Sequence, residues 1–153
     1  MLGFIRNAII LSAIALALLM LTLSWAPHGL KPRLWQLNEL LAQDQAVAEY
    51  PYDFRVLTFL NGVATVTSPR ASTVEESRYL GWIDPALGRG EASAQAQSLR
   101  VAREQLQYTE MYVLQLLLSQ SDVDSVVWAL DRAWFNQHGV KLPPQAEPGL
   151  PRG

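Results

Sequence analysis

The sequence predicts an α+β chain, with an N-terminal transmembrane helix followed by a small domain of three to four helices packed on one β-hairpin. Three observations lead there. Residues 7–27 carry no charge and are mostly Ile, Leu, Ala and Met. Two β-rich runs flank an Asn61-Gly62 pair, and much of the remaining chain places apolar residues three and four apart. At 153 residues there is room for one modest domain, two at most.

The N-terminal run is close to the ~20 apolar residues that cross a ~30 Å hydrocarbon core as helix. Arg6, Trp25, Lys31, Arg33 and Trp35 flank it, residue types that favour the membrane interface. Pro27 and Gly29 end it. Gly3, Ser12, Ala13 and Ala17 form one stripe of small residues against which another helix can pack. A cleaved secretory signal is the rival reading, with Ser24-Trp25-Ala26 as the cleavage site. The run is long for such a signal, and Pro27 would follow the cut. A buried core helix fits less well, because the segment is apolar on every face.

Flanking positive charge is nearly balanced, so orientation rests on the very short N-terminal tail, which favours an exported domain. The expected protein is a single-pass signal-anchor of the bacterial inner membrane with its C-terminal domain in the periplasm; a cytoplasmic domain is the alternative. The chain then divides into a tail (1–6), the anchor (7–27), a linker (28–33), the α+β domain (34–142) and a disordered Pro-rich tail (143–153).

Within the domain, Leu34, Leu37, Leu40, Leu41, Val47 and Ala48 predict an amphipathic helix over 34–49, bounded by Pro32 and Pro51. Tyr50, Tyr52 and Phe54 follow as an aromatic group that either packs the hairpin base or forms a partner surface. Residues 55–60 and 63–67 then read as two strands joined by a type I′ turn, since Asn-Gly tolerates positive φ at both central positions. Val56, Thr58 and Leu60 are expected on one face, Leu57 and Phe59 on the other. Ser72 and Thr73 stand three residues before Glu75 and Glu76, a capping-box pattern for a short helix through about Trp82. Asp84-Pro85 reads as a helix start or a plain turn.

The longest helical pattern covers 91–119, with Leu99, Ala102, Leu106, Thr109, Val113, Leu116 and Gln120 on one stripe. Met111 to Leu118 is apolar on most sides and reads as the centre of the core. Asp122 and Asp124 then read as caps of a last helix, buried through Val123, Val126, Val127, Leu130, Ala133 and Trp134 and ended by His138-Gly139.

Composition excludes several chemistries. With no cysteine there is no disulfide, thiolate–zinc or iron–sulfur site, and no thiol catalysis. Net charge is −2, without a basic patch to neutralise nucleic-acid phosphates. His28 and His138 are the only histidines, and neither has a second ligand at metal spacing. Asp122-x-Asp124 resembles a magnesium pair but lacks the Gly-Ser turn and third carboxylate such sites need. Glu75-Glu76 are adjacent on a helix and point about 100° apart. Gly88-Arg89-Gly90 lacks the lysine of a phosphate loop. No catalytic, cofactor-binding or metal-binding residue is therefore assigned.

The function expected is non-catalytic: an anchored accessory or interaction subunit whose partners are the lipid bilayer and other membrane-protein subunits, with no nucleic acid. The alternatives are a small tethered hydrolase or transferase, with Asp53, Glu75, Asp122 or Asp124 converging in one cleft, and a homo-oligomeric scaffold built through the 91–119 helix.

Overall fold

A computed structural model describes residues 1–25, 31–89 and 91–144, leaving aside the side chains of residues 2, 4 and 22–25. Among the described residues the chain is α+β, with six helices and one three-stranded sheet. It divides into two units, Met1–Gln36 and Leu37–Gly153.

In the first unit, α1 (Leu2–Trp25) is a continuous helix whose described apolar side chains are exposed. Here the membrane expectation is corrected. Among the described residues, no helix is long and apolar enough to cross a membrane. The transmembrane, single-pass and signal-anchor readings, and the inner-membrane location built on them, fall with that finding. So do the interface roles given to Arg6, Trp25, Lys31, Arg33 and Trp35. Arg33 donates to Gln36 Oε1 (3.1 Å), and Gln36 Nε2 donates to the Lys31 carbonyl (2.9 Å), contacts that end a helix entry locally.

The second unit begins inside α2 (Arg33–Gln43), which is followed by α3 (Gln45–Ala48). One helix was expected here. Asp44 divides it, because its extended backbone (φ −73°, ψ 121°) lets the carboxylate accept the Val47 N–H as an N-cap. Leu37 and Leu41 turn inward from α2 and Val47 from α3.

The hairpin forms where Asn-Gly places it. Strands β1 (Val56–Leu60) and β2 (Val63–Ser68) are antiparallel, and Asn61 and Gly62 have φ of 49° and 77°. A bulge between Val56 and Thr58 changes the facing pattern. Val56 lies opposite Val66 on the buried face, whereas Thr58 and Leu60 lie opposite Thr65 and Val63 on the outer face. The expected grouping of Val56 with Thr58 and Leu60 is therefore wrong by the width of one bulge.

Helix α4 (Glu76–Ile83) starts at Glu75 without a side-chain cap, so the Ser72 and Thr73 capping boxes do not form. Asp84 closes it, and its carboxylate accepts the Ala86 N–H in a plain turn. Helix α5 (Ala92–Leu118) runs against α3, α4 and the third strand. Leu106, Thr109, Val113 and Leu117 form its buried stripe, one position from the expected Leu116, while Met111 and Leu118 are exposed rather than central.

The largest departure follows. Ser125–Leu130 is a strand, β3, parallel to β2, with Val66 opposite Trp128. The sheet order is β1-β2-β3, so the domain is not built on a lone hairpin. The Val-Val-Trp run is β-branched and aromatic, and parallel pairing with β2 overrides a helical spacing that is also present in the sequence. Asp131 then caps α6 (Arg132–Gln137), which ends at His138 with Gly139 at φ 76° and a Val140 N–H to Phe135 carbonyl bond (3.0 Å). The expected disordered tail falls mostly outside the described residues. Of its start, the Pro143 carbonyl accepts from Arg132 Nη2 (2.6 Å).

Candidate interaction groove

An elongated groove of about 810 Å³ opens between α5 and the segment joining α3 to β1, with the C-terminal end of α4 closing one side. Along α5 it extends from Gln97 to Tyr112, about 22 Å of helix. Leu80 and Thr109 are buried in its floor, and Ala102 is half-buried beside them. Tyr50, Tyr108 and Tyr112 supply amphipathic walls. Tyr108 (69% exposed) and Val101 (52%) stand open to solvent.

Local chemistry sets this shape. Tyr112 donates its hydroxyl to Asp44 Oδ2 (3.0 Å), while Asp44 Oδ1 caps α3, so one carboxylate ties α3 to α5. That hydrogen bond also raises the Tyr112 pKa. Tyr50 stacks on Phe54 with centroids 5.9 Å apart. Burial, then the nearby Glu110 charge, pushes the Tyr50 phenol up to about 12. Glu110 is itself held by Ser68 Oγ and Arg70 Nε, each at 2.8 Å, which fixes the middle of α5 on the end of β2. Among the described residues, the charged groups lining the groove are Glu49 and Asp84, with no lysine or arginine. The groove thus offers apolar surface, phenol and amide hydrogen-bonding groups, and negative charge.

Most of the sequence-predicted site residues lie elsewhere. Of the aromatic group, only Tyr50 reaches the groove. Tyr52 and Phe54 are buried core side chains and form no partner surface. Tyr52 donates to Asp131 Oδ2 (2.9 Å) and packs edge-on against Phe54 and Trp134. Asp131, only 3% exposed, also binds Arg55 Nη2 (2.9 Å) and the Trp134 N–H (3.0 Å). This hub joins the start of β1 to the start of α6 and is fully used in doing so. Gly3, Ser12, Ala13 and Ala17 are exposed on α1, and an added Cβ at Gly3 would meet nothing within 4 Å.

The acids considered for catalysis sit on separate elements. Asp53 is exposed ahead of β1, Glu75 immediately precedes α4, Asp122 lies in the turn after α5, and Asp124 lies against Gly62 at the hairpin tip. None of them lines the groove. Among the described residues, no group of three or more His, Asp or Glu side chains is placed to hold a metal ion. His138 stacks on Trp82 (4.6 Å, 19°), with Nδ1 2.8 Å from the Trp134 carbonyl; His28 lies outside the described residues.

Val101, Tyr108 and Tyr112 were missed as site residues, although a signal for them exists. Val101, Tyr108, Met111 and Leu118 repeat at intervals of seven, three and seven, a second apolar seam on α5 beside its buried stripe. Compared with protein-family models, curated proteins and solved structures, the chain matches none.

Proposed function

We propose that this protein is a non-catalytic interaction subunit of a larger protein assembly, and that the α3–α4–α5 groove takes an apolar, cationic segment of another subunit. The observation that carries this reading is the groove itself. It combines a buried apolar floor, three tyrosines and two carboxylates with, among the described residues, no cationic side chain in its lining. Aromatic residues are favoured at binding surfaces because they supply area at little entropic cost, and complementary charge sets register and suppresses wrong partners. A length of about 22 Å suits a helix or extended segment better than a compact small molecule. Exposed apolar residues on α1, Leu11 and Leu16 among them, add a second surface that association with another protein would cover.

Binding is preferred to the hydrolase or transferase reading because the candidate acids stand apart from one another in the fold and from the groove. The test is a titration of the full ¹⁵N-labelled chain with an amphipathic Leu/Lys peptide, and with the same peptide carrying Glu for Lys. The expected result is amide shifts at Tyr50, Ala102, Tyr108 and Thr109 with the Lys peptide alone, abolished by Val101→Lys. Equal shifts with both peptides, or none with either, would overturn the reading.

A further inference from the structure

The two edges of the sheet are treated differently by the rest of the molecule. On β1, the outward backbone of Val56 is capped by one side chain from α2. The Val56 N–H donates to Asn38 Oδ1 (2.8 Å), and Asn38 Nδ2 donates to the Val56 carbonyl (2.9 Å). With the adjacent bulge, that amide blocks the edge in the way sheet proteins avoid unwanted pairing.

Strand β3 has no such device. Its pairing with β2 begins with Ser125 N–H to the Gly62 carbonyl (3.2 Å), and Asp131 N–H to the Ser68 carbonyl (3.1 Å) follows its end. Because alternate residues of a parallel strand bond to the same neighbour, Val126, Trp128 and Leu130 direct their N–H and C=O groups to the other side. Among the described residues no backbone partner meets them there, and β2 is the only strand beside β3. The strand, Ser-Val-Val-Trp-Ala-Leu, has no charge and no proline to repel another strand.

From this edge we infer that β3 pairs antiparallel with β3 of a second copy of the chain, giving a two-fold dimer with a continuous six-stranded sheet. A row of outward N–H and C=O groups specifies another strand as its occupant, and an antiparallel strand is complementary to itself. Centring the pair on Trp128 engages all three outward residues, with Val126 opposite Leu130 and Trp128 opposite its own copy. Two Trp128 rings then neighbour each other across the axis, and cross-strand aromatic pairs are favourable. The dyad stands perpendicular to the sheet. It therefore makes one continuous surface of the two exposed outer faces, each bearing Leu60 (70% exposed) and Val127 (51%).

Density-matched sedimentation equilibrium of the full chain, in a non-ionic detergent that keeps the apolar α1 dispersed, tests the proposal. The wild type is expected at twice the chain mass. Val127→Lys, on an exposed position, and Val126→Pro, which removes an outward donor and leaves the β2 ladder intact, are expected at the monomer mass. Circular dichroism checks that both variants fold. Amide exchange in the wild type reads the edge without any substitution, and Val126, Trp128 and Leu130 should be protected more strongly as concentration rises. A monomeric wild type with unprotected edge amides would overturn the proposal. So would a dimer that survives both variants, or one dissociated by Met111→Glu on α5 in their place.

Discussion

Asp131 is the residue on which the core's polar connections converge. It accepts hydrogen bonds from Tyr52, Arg55 and the Trp134 N–H, and its loss leaves the buried Tyr52 hydroxyl without its acceptor and α6 uncapped. Asp131→Ala should cost about 2–4 kcal/mol in urea unfolding, drawn from those two effects. Arg55 is half exposed and regains water, so the ion pair itself adds little. Gly62 is the second singular position. Its φ of 77° disfavours a side chain, and a Cβ there would run into the Asp124 carboxylate. Gly62→Ala should destabilise by about 1–2 kcal/mol or more by the same measurement, since the left-handed region alone costs that much. Tyr50 gives the pH dependence. Burial holds its phenol near 12 in the fold, against about 10 in the unfolded chain, so the neutral form is the stabilising one. Its contribution is complete below pH about 10 and is lost as pH rises toward about 12. Unfolding midpoints measured from pH 8 to 12 should fall across that window, and less steeply in Tyr50→Phe.

At the scale of elements, α5 joins two different environments. From Leu106 to Leu117 it is anchored by its buried stripe, while Ala92 to Ser98 project with every described side chain exposed. Amide exchange should therefore be fast in its first two turns and slow around Leu106 and Val113, because protection follows buried contacts. Leu106→Ala should cost about 2–5 kcal/mol, the range for emptying a packed aliphatic site. The same scale shows what could be read in advance. Asn61-Gly62 fixed the hairpin because its backbone demand is local, and the long helix was visible because its stripe repeats over many turns. Strand β3 was not legible. Its apolar residues also fit a helical period, and only the parallel register with β2, set by a chain crossing through α4 and α5, decides against it. The break at Asp44 was not legible either, because its capping of α3 depends on one extended backbone angle. Tyr50 was singled out but could not be separated from Tyr52 and Phe54, since alternation at a strand entry does not say which ring faces outward. The groove was hidden for a related reason: its walls come from segments about fifty residues apart in the chain.

At the scale of the whole molecule, a small α+β domain closes one sheet edge and leaves a tyrosine-lined acidic groove open, and a separate unit carries an exposed apolar helix. A monomer of this size rarely leaves so much apolar surface uncovered without a partner. The most direct test of the interaction reading is affinity isolation of the tagged full chain from its native cells in gentle detergent, with quantitative mass spectrometry. It should be run side by side on wild type, on a Val101→Lys/Tyr108→Lys groove variant, and on a Leu57→Lys control on the exposed part of β1. Stoichiometric protein subunits are expected to be retained by wild type and control and lost by the groove variant. Recovery of the chain with no other protein, or the same partners held equally by all three, would contradict the interaction reading.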